Sequence, residues 1–379
     1  MAIQMTDLKA QYESIKSEID AAITEVINET GFILGKQVSL FEEEAAKYFG
    51  AKYAIGVASG TDALVLSLAA LGIGKGDEVI TTPFTFIATA EAISRVGAKP
   101  VFCDIDPLIY NIDADKIEEK ISPRTKALLP VHLYGMPCRM DKITAIAKKH
   151  NLKLVEDCAQ SFGSEYKNKK TGTFGDCGCL SFFPAKTLGC FGDGGMIITN
   201  SEDAAQKVKM LRNHGSNKKY YYGIHGFNSR LDTIQAAILR IKLKHIDTWI
   251  NKRIENAKYY NELFCGCGDI VTPDAQAQGA LGAAQEYKHT FNYYTVRIKN
   301  NRREEVQKRL KEQSVPSAIY YPLSLHLQEV YKELGYKKGD FPIAESAQEE
   351  VLSLPMYPEL DKEQIRQVCE ICRQLQHIS

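Results

Sequence analysis

Three short segments carry side chains whose types and spacing could do chemistry. The stretch S-F-F-P-A-K-T-L-G-C-F-G-D-G-G, residues 181–195, sets Lys186 behind an apolar run and ahead of four glycines. A lysine that only needs solvent gains nothing from such surroundings. In a cleft between apolar walls its ammonium is destabilised, and a neutral, nucleophilic amine becomes accessible near physiological pH. Upstream, V-E-D-C-A-Q-S (155–161) closes an apolar run with Glu156 and Asp157, at the strand end where open α/β sheets hold their ligand clefts. A carboxylate there could be a cap, a metal ligand or the counter-ion of a cationic ring nitrogen. Further upstream, A-S-G-T-D-A-L (58–64) follows a strand pattern and opens a helical one. Ser59 or Thr61 can cap that helix and Gly60 lets the backbone bend, while the free N–H groups and the dipole favour an anion such as phosphate.

Each segment alone admits a structural role. Two familiar phosphate loops are excluded for the lysine: Ala185 rather than glycine precedes Lys186, and the glycines follow the lysine and lead into a strand pattern. Taken together, an amine able to condense with an aldehyde, an acid at a strand end and a phosphate cup fit pyridoxal 5′-phosphate. A fourth segment, F-N-S-R-L-D-T-I-Q-A-A (227–237), places Asn228 and Arg230 ahead of a long helical pattern. Asn228 could cap that helix, and Arg230 could pair with Asp232 or another acid.

These residues need a frame. From Tyr53 to Asn200 short apolar runs alternate with helical patterns, and seven read as strands: 53–57, 78–82, 100–104, 127–132, 153–157, 180–183 and 196–200. Continuous apolar strands separated by crossover helices predict an α/β fold, a mostly parallel seven-stranded sheet with helices on both faces. A helical pattern runs from Arg230 towards residue 262. Beyond it the character changes: 290–298 alternates like a strand, R-R-E-E-V-Q-K-R-L-K-E is a charged helix, S-A-I-Y-Y (317–321) reads as a strand, and a terminal helix follows. The expected division is a large domain over 31–250 and a small α+β domain over 251–379, joined by an amphipathic N-terminal helix within 1–30.

The chain has 379 residues, long enough for two domains, and 47 basic side chains balance 47 acidic ones. That balance makes no electrostatic case for nucleic acid or an anionic membrane as a partner. The polar N-terminus lacks the apolar core of a signal peptide, and the longest apolar stretch, 63–73, is too short to span a bilayer, so the expected location is cytoplasmic. The ten cysteines have no second pair or histidines at zinc spacing, so no metal is expected. Cys369 and Cys372, at i, i+3 of an amphipathic pattern, read as reduced core thiols.

With these residues assembled, the chain resembles the nucleotide-sugar aminotransferases of the DegT/StrS type, a branch of the fold-type-I pyridoxal-phosphate enzymes. The resemblance runs nearly end to end and is carried by A-S-G-T-D-A-L, P-F-T-F-I-A-T-A-E-A, V-E-D-C-A-Q-S-F-G, S-F-F-P-A-K-T-L-G-C-F-G-D-G-G and N-S-R-L-D-T-I-Q-A-A. It implies that Lys186 forms the Schiff base and shuttles the proton, while Asp157 pairs with the pyridine nitrogen. Gln160 would bond the phenolic oxygen and Phe86 would stack on the ring. Gly60, Thr61 and Ser181 would hold the phosphate, with Asn228 reaching it from a partner subunit, so a homodimer with shared sites is implied. The four glycines would let the loop pass close to the cofactor.

The implied reaction moves an amino group from L-glutamate to a nucleotide-linked keto sugar. The N-S-R-L-D wording is closer to enzymes acting at the sugar's C3. The nearest type acts on UDP-2-acetamido-2-deoxy-3-oxo-glucuronate for surface polysaccharide; dTDP-3-keto-6-deoxyhexose 3-aminotransferases are the alternative. Related dehydratases carry histidine where this chain has Lys186, and a non-catalytic ligand-binding regulator is a third reading on the same fold. The family commonly reads H-Y-P where this chain has Tyr320, Tyr321 and Pro322, whereas His326 keeps a common family position. Tyr320, Tyr321 and His326 are therefore candidate sugar contacts, and Arg230 is a candidate partner for a substrate carboxylate.

Overall fold

The computed structural model describes residues 3–273 and 287–374. Seven strands form the central sheet: β1 (Tyr53–Val57), β2 (Glu78–Thr81), β3 (Lys99–Phe102), β4 (Thr125–Leu128), β5 (Lys153–Asp157), β8 (Cys177–Ser181) and β9 (Gly195–Thr199); the short strands β6 (Glu165–Tyr166) and β7 (Lys169–Lys170) pair outside it. Their order is β1-β9-β8-β5-β4-β2-β3. The β2–β3, β2–β4, β4–β5 and β5–β8 pairs are parallel, and β9 alone runs against its neighbours. Every one of the seven apolar runs read from the sequence supplies one of these strands.

Side-chain alternation divides the sheet between two cores. Ile197 and Val155 join Leu64, Leu68 and Val208 on one face, beneath α4 (Gly60–Ala70) and α7 (Glu202–Leu211). Ile198 and Met196 turn to the other face, among Phe41, Phe182, Trp249 and Ile250 of α3 (Lys36–Phe49), the lysine loop and α8 (Thr233–Phe264). Both faces being covered is why these strands read as unbroken apolar runs rather than as alternating ones. The run at 180–183 forms strand earlier, at 177–181: Phe182 N–H still bonds Gly194 O, but Pro184 has no N–H to continue the ladder.

The amphipathic N-terminal segment forms two helices, α1 (Leu8–Ser14) and α2 (Lys16–Glu29), broken at Ile15, whose φ of −131° is not helical. Ile15 and Ile19 pack in the core with Phe41 and Phe182, whereas Ile3 packs with Tyr260 and Tyr357. After α8, strands Ile270–Val271, Tyr294–Ile298 and Val351–Leu354 make an antiparallel sheet. The helix Lys362–Arg373 covers it with Ile365, Val368, Cys369 and Cys372 buried on one face, as the spacing predicts. All ten cysteines are free thiols, nine of them buried. The expected strand at 317–321 does not form. Ala318 makes one isolated bridge with Ser353, and the chain then turns its two tyrosines into a cavity. Among the described residues no helix is long and apolar enough to cross a membrane.

Candidate active site

The carboxyl ends of β2, β5 and β8, the start of β9 and the β1–α4 turn converge on one cavity of about 420 Å³. The strand directions dictate this, because side chains leaving parallel strands at one edge open a cleft there. Nine of the residues expected to contact cofactor or substrate line it: Gly60, Thr61, Phe86, Asp157, Gln160, Ser181, Lys186, Tyr320 and Tyr321.

Glu156 and Asp157 leave β5 on opposite faces, as successive strand residues must. Glu156 is fully buried away from the cavity and accepts from the N–H groups of Gly172, Phe174 and Gly175 at 2.8, 2.7 and 2.8 Å. It also meets His132 Nε2 at 3.0 Å. His132 Nδ1 accepts from Cys138 N–H at 3.0 Å, so the proton sits on Nε2 and is donated to Glu156. His132, Glu156 and Cys158 lie close enough to hold a metal, but the Glu156 carboxylate is already occupied by these donors. Its role is to fasten the β5–β8 connection.

Asp157 faces the cavity. Its Oδ2 accepts from Thr89 Oγ1 at 2.8 Å and its Oδ1 from Ala159 N–H at 3.1 Å. Burial pushes its carboxyl above the ordinary value, while those two bonds and Lys186 pull it down. The net upward shift marks a carboxylate short of positive charge.

Lys186 follows β8 in the loop that returns to β9, with its backbone N–H bonded to Phe183 O at 2.9 Å. Burial lowers its ammonium to about 8, and the Asp157 charge offsets only part of that. An amine of lowered basicity and a carboxyl group shifted upward thus share one cavity. Two of the loop's four glycines serve the protein's own backbone: a Cβ on Gly189 would come 2.3 Å from Pro184 O, and one on Gly195 would come 2.2 Å from Ser59 O. They are needed whether or not a ligand passes nearby.

Opposite, α4 starts at the cavity wall. Ser59 is its cap, with Oγ accepting from Asp62 N–H at 3.1 Å. A Cβ on Gly60 would stand 2.6 Å from Ser181 Cβ, so only glycine lets the helix start press against the end of β8. Ser59, Gly60, Thr61 and Ser181 form a cradle of hydroxyls and a helix N-terminus suited to a phosphate.

An interlocked tyrosine wall closes the cavity. Gln160 Oε1 accepts from Tyr134 N–H at 2.7 Å, and its Nε2 donates to Tyr321 Oη at 3.0 Å. Tyr134 Oη donates to the Tyr320 carbonyl, and the Tyr320 and Tyr293 rings lie 4.3 Å apart. Phe86 is 54% exposed, with its ring 6.0 Å from that of Tyr321.

Three expected residues lie elsewhere. His326 is buried, its Nε2 3.1 Å from Glu345 Oε1 and its ring edge-on to Phe341. Asn228 is exposed and bridges Asn213, while Arg230 Nη1 donates to Asn213 Oδ1 at 3.1 Å. Asn228 caps no helix, since α8 begins five residues later. Sequence reasoning missed Thr85, Thr89, Phe183, Asp193 and Tyr293. Thr85 lies just ahead of the helix Ile87–Arg95 and bonds Thr89 in its first turn at 3.1 Å, a contact that helical periodicity does not announce.

A half-buried amine of depressed basicity, a carboxylate in the same cavity and an anion cradle define a pyridoxal-phosphate-dependent aminotransferase, and the residues fit that cofactor. The comparisons agree. Residues 13–373 match the DegT/DnrJ/EryC1/StrS aminotransferase family, and the chain belongs to it. It is similar to the pleiotropic regulatory protein of Geobacillus stearothermophilus, 48% identical over 98% of this chain and 97% of that one. Two relatives are 44% identical. The UDP-N-acetyl-3-dehydro-α-D-glucosamine 3-aminotransferase of Acidithiobacillus ferrooxidans aligns over 99% of this chain and 98% of its own. The UDP-2-acetamido-2-deoxy-3-oxo-D-glucuronate aminotransferase of Pseudomonas aeruginosa aligns over 97% and 98%. The crystal structure of S. venezuelae DesV in complex with a ketimine intermediate superposes with a TM-score of 0.95 at 39% identity, covering 100% of this chain and 99% of that one.

Proposed function

We propose that the protein transfers an amino group from L-glutamate to C3 of a UDP-linked 2-acetamido-2-deoxy-3-oxo sugar, with the 3-oxo-glucuronate as the substrate. Two relatives bear names that place their amination at that carbon of such sugars. The observation that carries the transaminase chemistry is the convergence of Lys186 and Asp157 on one cavity beside the α4 N-terminus.

The roles of this chain's residues follow from their chemistry. Lys186, lowered to about 8, supplies a far larger neutral fraction near physiological pH than an ordinary lysine; that neutral amine would attach the cofactor and afterwards carry the proton between substrate and cofactor carbons. Asp157 sits where a protonated ring nitrogen would relieve its shortage of positive charge. When bound, the cofactor supplies an electron sink for the carbanion next to the transferred nitrogen. Thr61, Ser181 and the α4 N–H groups hold its phosphate, and Phe86 covers its ring. Gln160, with one amide proton committed to Tyr321, has a second to offer its phenolic oxygen. Tyr320 and Tyr321 bound the sugar side.

Asn228 and Arg230 lie outside this cavity and act, in this reading, in the site of a second subunit, which makes the homodimer the working unit. The proposed location is cytoplasmic, where the nucleotide sugar would be made.

The test is incubation with L-glutamate and a panel of UDP- and dTDP-linked 3-keto sugars, with products weighed by mass spectrometry. An amino sugar from the UDP-linked uronate, absent with Lys186→Ala, is expected. Preference for the 6-hydroxymethyl or dTDP-linked sugars would reassign the substrate. Cofactor binding with no amino-group transfer from any amino acid would turn the reading towards a regulator.

A further inference from the structure

Three residues past Lys186 the chain reaches Gly189, whose carbonyl accepts from Lys242 Nζ at 2.7 Å. Lys242 stands on α8 and is 1% exposed, among the largest fully buried side chains of the molecule. Its other hydrogen bond goes to Gln11 Oε1 on α1 at 2.9 Å, and the Phe191 ring centre is 4.7 Å from Nζ. None of these contacts is a carboxylate. Burial pushes the ammonium down to about 8, against weak opposition from Cys190 and Glu359. A charge held this way is a poor device for stability, since an apolar side chain of similar volume packs at least as well. Its geometry has a different use.

The carbonyl it grips belongs to a turn closed on itself. Gly189 is pressed against Pro184 and Phe183, leaving 2.3 and 2.8 Å between an added Cβ and their carbonyl oxygens. Lys186 lies between these contacts, its N–H bonded to Phe183 O. On the other side Thr187 N–H and Oγ1 both bond Asn292 Oδ1, at 3.1 and 3.2 Å. A shift of Gly189 therefore cannot be absorbed before it reaches Lys186.

We propose that Lys242 is a positioning residue for the active-site amine: it pins the Gly189 carbonyl to α8 and so fixes the turn that aims Lys186 into the cavity. The idea rests on Lys186 being the cofactor-bearing amine. It accounts for a buried ammonium that bonds no carboxylate among the described residues, and for the link from Gln11 on α1 to the reactive loop.

The test uses the full chain with Lys242→Met, which keeps the volume and loses the donors. In cofactor-free protein, reductive methylation of Lys186 by formaldehyde and cyanoborohydride is followed by peptide mass spectrometry. In the loaded enzyme, kcat and KM for the keto sugar are measured. The expected result is a labelling rate changed by ~3-fold or more and kcat lower by roughly 10- to 100-fold, with KM within ~3-fold, as for a misplaced reacting group. Unchanged labelling and kcat, with only a lower Tm, would overturn the proposal. Should that variant not fold, Lys242→Gln, which loses charge and reach, is judged by the same two outcomes. An absent cofactor band in the wild type would defeat the role of Lys186 itself, and the labelling experiment separates the two failures.

Discussion

Thr89 Oγ1, in the first turn of the helix Ile87–Arg95, donates to Asp157 Oδ2 at 2.8 Å, and Thr85 Oγ1, just ahead of that helix, lies 3.1 Å from Thr89 Oγ1. The Thr89–Asp157 bond favours the charged form of Asp157 against the burial that opposes it. Thr89→Val keeps the shape and removes the donor, so Asp157 should titrate higher and hold a protonated ring less firmly. One hydrogen bond to a charged group contributes about 1.5–3 kcal/mol, so the dissociation constant for pyridoxal phosphate should rise roughly 10- to 100-fold. Titration of cofactor-free protein, followed by absorbance, checks it; an unchanged constant would mean that Thr89 is only packing.

Lys186 makes a pH prediction whose sign can be worked out. Its folded value is lowered to about 8 from an ordinary 10.5, so between those limits the unfolded chain binds more protons than the folded one. Folding stability of the cofactor-free protein should therefore gain from this group as pH rises from about 8 to 10.5, and the penalty should be full below 8. Lys186→Met removes the group. It should be more stable than the wild type at pH 7, and the gap should narrow at pH 10. Urea unfolding at the two pH values reads the difference directly. The same titration predicts that recombination with pyridoxal phosphate speeds up through pH 8, since only the neutral amine attacks.

How much of this was legible in the sequence depended on whether a local pattern decided the outcome. The seven apolar runs became the seven sheet strands because a strand buried on both faces has no other way to read. Lys186 and Ser59 were legible for the same local reason: a glycine-rich return and a helix start leave their marks within a few residues. Adjacency could not say which of Glu156 and Asp157 faces the ligand, because that depends on which side of β5 holds the Gly172–Gly175 turn. The run S-A-I-Y-Y at 317–321 imitated a strand through its isoleucine and tyrosines, but after the single bridge at Ala318 the tyrosines pack against Tyr134, Tyr293 and Gln160. Those are contacts 160 or more residues away for Gln160 and Tyr134, and no window sees them. Of the four loop glycines, Gly189 and Gly195 make room for Pro184 O and Ser59 O, which are atoms of the protein itself.

The contact between Gly60 and Ser181 is a test of the phosphate cradle that needs no substrate. Gly60→Ala puts a methyl group 2.6 Å from Ser181 Cβ, too close to exist without movement of the α4 start or the β8 end. Overpacking of this kind costs about 1–3 kcal/mol. Because both displaced elements line the cradle, cofactor affinity should fall with stability, while Ser181→Gly in the same background should recover part of the stability but not the affinity, since it removes a phosphate-holding hydroxyl. Melting curves with and without pyridoxal phosphate separate the two effects.

His326 carries the prediction that departs furthest from its expected place among the sugar contacts. Its Nε2 meets Glu345 Oε1 at 3.1 Å, and that carboxylate also accepts from Gly339 and Phe341 N–H groups. Burial lowers the imidazole below its usual value, so at neutral pH the ring is an uncharged prop under the 339–345 turn. Phe341, edge-on to it, packs in the same core as Tyr320 and Tyr321. His326→Ala would open a cavity and leave Glu345 short of a donor, at a cost of about 1–3 kcal/mol. The enzyme should melt earlier but keep its KM for the keto sugar within ~2-fold, as expected when no substrate contact is lost. A large rise in KM with the melting temperature unchanged would return His326 to the sugar site.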